Sequence, residues 1–198
     1  MVTQRSSRGP FGPRLHLGGG TVQLAVGLVA ISVLTGLLGL YWLLLSPSSV
    51  IRGAVWQPLT YGFVELSPVT VLFSALCIVS CGGALESWWG QRRTVRFLVG
   101  VTVASGVVTT LLGLLIPGIG SAYFTGGSTL ASVAWCAYGW TLRRMLVTFY
   151  GITVTGDQLA LIGIGLVVLD GALGSLVHIV PDAIALSITY YYVHHVRR

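Results

Sequence analysis

Two side chains in this sequence could carry out acyl transfer. Ser128 follows two glycines in "YFTGGSTLASVAW", at the head of an apolar run, and His178 lies just after "GALGS" in another. A serine hydroxyl becomes a nucleophile when an imidazole within hydrogen-bonding reach takes its proton. Burial disfavours the charged imidazolium and so keeps such a base neutral. Ionisable groups inside apolar segments are rare and mostly functional. Plainer roles exist for both residues. Serine is a favoured helix N-cap, and a lone histidine in a helix is often a hydrogen-bonded core residue. Asp182 lies four residues beyond His178, on the same face of a helix. It is placed either to orient the imidazole or to cap the last helix near water.

The elements that must position these groups are membrane spans. Hydrophobic residues make up 54% of the 198-residue chain and charged residues only 8%, against about 25% charge in soluble domains. Six apolar segments run from about Val22 to Leu45, Pro68 to Trp89, Thr94 to Ile116, Ser128 to Leu142, Gln158 to Ala172 and Ser175 to Val196. Their lengths and lack of alternation predict helices, because backbone polar groups must be satisfied internally in lipid. The fold class is therefore an all-α membrane protein, a six-helix bundle over residues 21–198 behind a basic, Gly/Ser/Pro-containing tail over residues 1–20. All eleven basic residues are arginines. With the N-terminus in the cytoplasm, every arginine except Arg52 falls on the inner side, as the positive-inside rule expects. The C-terminus is then cytoplasmic too. The net charge of +6 is spread over these short clusters and forms no nucleic-acid patch. Cys77, Cys81 and Cys136 lie inside apolar runs without a fourth zinc ligand and read as small buried side chains. Glu86 at the inner end of the second segment is placed to pair with Arg92 or Arg93, and Asp170 to meet a neighbour or water.

The fourth segment is short. Fifteen residues at 1.5 Å each cover roughly 22 Å, less than a hydrocarbon core of about 30 Å. Pinned at its inner end by Arg143 and Arg144, it begins below the outer surface, so Ser128 lies at a depth that His178 shares. The preceding "PGIGSAYFTGG" must then line a cavity or be covered by protein.

Over residues 56 to 185 the chain resembles the rhomboid intramembrane serine proteases. Trp56, Thr60, Tyr61 and Phe63 are similar to the family's first-loop pattern, and "GGALE" (Gly82 to Glu86) with Gly90 and Arg93 to the inner end of its second span. "GGS" (Gly126 to Ser128) matches its nucleophile motif, and His178 stands where its base opens the sixth span. The resemblance implies cleavage of transmembrane or membrane-proximal protein substrates by a Ser128/His178 dyad, without a cofactor. Oxyanion stabilisation would come from backbone around Gly126, Gly127 and Ser128. Several positions depart from the pattern. The family's oxyanion-binding His and Asn of span two align with Thr70 and Ser74. Thr129 replaces the glycine after the serine, Glu65 and Gln57 replace a histidine and an arginine of loop one, Ser132 an aromatic, and Pro181 a glycine. Each lost oxyanion donor costs about a hundredfold or more in rate. A catalytically inactive relative that binds transmembrane clients is the alternative, and a small transporter a third reading, opposed by the lack of an inverted repeat. The exclusive use of arginine suggests GC-rich coding, and with it a bacterial plasma membrane.

Overall fold

The computed structural model describes residues 19–149 and 152–196. The N-terminal tail, with Arg5, Arg8 and Arg14, and the terminal Arg197 and Arg198 lie outside the described residues. Helix α1 (Gly20–Leu38) is followed by a folded loop holding α2 (Pro47–Ile51) and α3 (Gln57–Thr60). Next come α4 (Pro68–Cys77), a wider π-helical turn over Ile78–Gly82, and α5 (Gly83–Trp89), which together form one rod. The chain continues through α6 (Gln91–Leu115), a short α7 (Pro117–Gly120) and α8 (Gly127–Thr141). A hairpin of β1 (Leu146–Phe149) and β2 (Ile152–Thr155) leads to α9 (Gly156–Leu173) and α10 (Ile179–Tyr191). Five helical stretches among the described residues, of 19, 22, 25, 18 and 20 residues, are long and apolar enough to cross a membrane. The protein is thus an all-α membrane protein in its spanning part, and α8, with 15 residues, is the short helix among them.

Helix α8 is the axis of the bundle. Leu130, Val133, Ala134, Cys136 and Ala137 are fully enclosed, and α4, α6, α9 and α10 all pack on it. Trp135 donates its indole N–H to the Leu159 carbonyl of α9 at 2.7 Å, so this buried tryptophan has its polar atom met. The other helices turn large apolar side chains outward, among them Leu37, Val69, Leu115 and Leu173. That is the inside-out pattern expected where lipid replaces water.

Two expectations need correction. The first helix ends at Leu38, not near Leu45, although the apolar run continues. Gly39 adopts a left-handed φ of 66° and returns its N–H to Thr35, and Leu45 instead pairs with Phe124 through two backbone bonds of 3.1 and 2.8 Å. Apolar composition marks a stretch suited to lipid or core, and it cannot by itself say where a helix stops. Likewise, Glu86 does not pair with the arginines. Its Oε1 accepts the Thr21 backbone N–H at 2.6 Å, where a carboxylate satisfies an orphan donor and faces the positive end of the α1 dipole. The hairpin was not expected either, yet "LVTF" and "ITVT" are rich in the β-branched and aromatic residues that strands favour. Its exit is marked by a capping box between Thr155 and Gln158 that starts α9.

Candidate functional site

The site is built around a turn, "TGGS", laid against the folded loop. Gly126 donates its N–H to the carbonyls of Tyr61 and Val64 at 3.0 and 3.2 Å. A methyl group at Gly126 would sit 2.5 Å from the Tyr61 ring, and one at Gly127 would sit 2.9 Å from Leu28. The two glycines are therefore demanded by close packing, whatever chemistry follows. Tyr61 is fully buried and holds the loop to α6, donating to the Thr102 carbonyl at 2.8 Å and sharing a 2.6 Å bond with Ser105. Burial pushes its phenol well above the ordinary tyrosine range. Gln57, in the arginine position of the family pattern, accepts from Ser46 N–H at 3.0 Å and donates to the Trp42 carbonyl at 3.2 Å. It stiffens the loop from inside.

Glu65 is the centre of this arrangement. Its side chain accepts the backbone N–H of Ser128 at 3.3 Å, the hydroxyl of Thr125 at 3.3 and 3.4 Å, and the N–H of Leu66 at 3.1 Å. Its own N–H donates to Ser32 Oγ on α1 at 3.0 Å. Only 7% of the residue is exposed. Burial raises its carboxyl above the ordinary glutamate range, while the hydrogen bonds from Leu66, Ser128, Thr125 and Ser67 pull it back down. Ionised or protonated, the oxygen facing Ser128 takes up the backbone N–H that an oxyanion would need.

The residues singled out by type and spacing are placed unequally. Ser128 is the second residue of α8, behind Gly126 at the N-cap, so it does not cap the helix. It is half-buried. His178 closes a tight 3₁₀ turn (Leu176–His178) before α10, is exposed, and lays its ring edge-on to Phe124 with centroids 5.7 Å apart. The neighbouring Val177 and Val180 pack against the small cluster of Leu45, Tyr61, Ile119 and Phe124. The histidine turn is thus brought to the segment that leads into Ser128, but no hydrogen bond joins His178 to Ser128 among those formed by the described residues. Thr70 donates its N–H to Ser67 Oγ at 3.4 Å as part of the α4 cap. Ser74 is buried with an unpartnered hydroxyl. Neither is bonded to Ser128.

Asp182 does not orient His178. Because His178 precedes the regular helix, the expected four-residue stacking on one face is not formed. The Asp182 carboxyl instead lies inward beside the Thr129 side chain of α8, is only 6% exposed, and leaves Oδ1 without a partner. Thr129, itself almost fully buried, therefore faces α10 and not a substrate path. Glu65, met in the sequence only as a replacement for a loop-one histidine, holds a central place that spacing did not indicate. The signal lay in "FVELSP", one of five acidic residues in the whole chain, set in an apolar stretch where a lone acid calls for an explanation. Among the described residues, no group of three or more His, Cys, Asp or Glu side chains could hold a metal ion.

No curated protein matches this chain in sequence. Residues 22–197 match the profile of the family described as "Eukaryotic integral membrane protein (DUF1751)". That description supports a multi-pass membrane protein and gives no support to the bacterial plasma membrane suggested by the arginine usage. With the match running from the first turn of α1 to the end of the last span, the chain belongs to the DUF1751 family of integral membrane proteins.

Proposed function

We propose that this protein is a catalytically silent, rhomboid-like membrane protein that binds transmembrane segments of client proteins. The observation that carries the proposal is the Glu65–Ser128 bond of 3.3 Å. Hydrolysis of an amide builds negative charge on the former carbonyl oxygen, and preorganised N–H donors at that point are usually the largest catalytic contribution. Here the Ser128 donor is spent on an acceptor side chain, and neither of the aligned Thr70 and Ser74 is bonded to Ser128. A carboxylate beside the developing oxyanion would raise the barrier further, since like charges repel strongly in a low-dielectric site. The rhomboid-like frame is supported by the short α8 inside five longer helices, and by the loop that braces "GGS" through Tyr61 and Val64.

Client binding is supported by the flanks of α8. Helices α4 and α9 both pack on it and expose Leu72, Phe73 and Leu76 on one side and Ile162 and Leu166 on the other. Association of spans in lipid rests on such van der Waals surfaces and not on a hydrophobic driving force.

The test is reaction of the purified protein with a fluorophosphonate, beside an active rhomboid as positive control. Wild type is expected to label no more than Ser128→Ala. Photo-crosslinkers at Leu72 and Leu166 are expected to capture a co-expressed single-span peptide, and a crosslinker at the exposed Leu115 of α6 to capture none. Labelling that depends on both Ser128 and His178 would overturn the proposal in favour of a protease. The half-buried Ser128 hydroxyl, with the histidine turn packed on the adjoining segment, is what keeps that second reading open.

A further inference from the structure

Helices α9 and α10 touch near their first junction and then part. Ile179 fills the space over Gly171, where no side chain could fit, and from there a groove of about 560 Å³ opens between the two helices, with Trp140 of α8 at its other end. Its walls are Leu161, Ile164 and Val168 on α9, and Ala183, Leu186 and Tyr190 on α10. Ser187 also lines it, but its hydroxyl is already given to the Ala183 carbonyl at 2.8 Å. The walls therefore ask nothing polar of an occupant.

We infer that this groove seats one acyl chain of an anionic phospholipid from the leaflet on the arginine-rich side. Size favours an acyl chain, which fits within the groove, over a helix, which could enter it by one face only. From Ile179 to Tyr190 the groove runs about 16 Å, and a helix 10–12 Å across would need on the order of 1,400 Å³ over that length. The length is about half of a roughly 30 Å hydrocarbon core, the depth of a single leaflet. Chemistry at the mouth decides the headgroup. Trp140 and Tyr190 meet edge to face with centroids 5.3 Å apart, and His194 stacks on Tyr190 at 4.0 Å, an aromatic collar of the kind that settles at a membrane interface. Arg143 and Arg144 follow Trp140 within four residues and are exposed. Asp157 offsets Arg143 through a 3.3 Å ion pair, which leaves Arg144 as the uncompensated cation of the two for a phosphate. The inference rests on the groove alone and holds or fails independently of catalytic silence.

The experiment is native mass spectrometry of the delipidated full-length protein titrated with phosphatidylglycerol or phosphatidylcholine. One phosphatidylglycerol is expected to bind saturably. Its preference over phosphatidylcholine should be about fivefold, the effect of one basic residue near the bilayer surface, and Arg144→Gln should abolish it. Ala183→Trp, which fills the groove, is expected to remove the saturable site, while Leu115→Trp on α6 leaves it intact. A second readout covers the case in which the filled variant misfolds. Phosphatidylglycerol with brominated acyl chains should quench a saturable part of the tryptophan fluorescence, and Trp140→Phe should lose that part. Equal affinity for the two lipids, equal binding to both tryptophan variants, unchanged quenching in Trp140→Phe, or displacement of the lipid by a single-span peptide would each overturn the inference.

Discussion

The two sides of the candidate site are held very differently. On the loop side, Tyr61, Gln57 and Glu65 are buried and each is fixed by two or more hydrogen bonds. On the α10 side, His178 is exposed, and its ring lies edge-on against Phe124. Catalytic groups need their rotamers locked by packing and supporting hydrogen bonds to stay within about half an ångström of a productive geometry. The carboxyl on the rigid side is committed to the donors of Ser128, Thr125 and Leu66, and the side that carries the imidazole is not rigid. What is preorganised is the support of the "GGS" turn, not a reaction centre.

Substitutions can break or sharpen this contrast. The largest effect is expected on the rigid side: Gly126→Ala drives a methyl group into the Tyr61 ring and should cost about 1–3 kcal/mol, read as a lower unfolding midpoint in detergent. Tyr61→Phe should cost about 0.5–1.5 kcal/mol, because it removes two buried hydrogen bonds while the Ser105 hydroxyl keeps its own bond to the Thr102 carbonyl. A loss below a few tenths would show that the loop is not braced as described.

Glu65 tests the pH dependence. Its pKa is raised on folding, so the folded state binds the proton more tightly than the unfolded one. Stability should therefore be fully present below the ordinary glutamate range and fall as pH rises from that range through the folded pKa. Glu65→Gln should flatten that part of the melting-temperature profile while the Ser128 N–H keeps an amide oxygen as acceptor. A profile unchanged by the substitution would exclude Glu65 as its source. Asp182→Asn replaces an ionisable group that has an unmet oxygen with a neutral one, and thermal unfolding should shift upward by an amount worth about 1 kcal/mol. The smallest effect belongs to the exposed imidazole: His178→Ala should change stability by less than about 0.5 kcal/mol. A substantially larger loss would mean that the α10 side is held more firmly than its contacts indicate.

Apolar composition was enough to find the long helices, though not every end of them. The stretches from Pro68 to Trp89 and from Ser128 to Leu142 lie within a residue of the helices found, because in lipid an apolar stretch that long has few alternatives to a helix. The short α8 and the glycines ahead of it were also legible, since chain length along a helix is fixed by geometry. The partners were not. Glu65 and Ser128 are 63 residues apart in sequence, and Glu86 and Thr21 are 65. No local pattern says which backbone donor a distant carboxyl will meet. The three-residue turn that ends at His178 likewise removed the register that would have set Asp182 beneath it, a change of a single helical turn that spacing cannot register. Which residues enter the membrane is a property of each segment alone, whereas which atoms face one another depends on how all the helices and the folded loop close around α8 together.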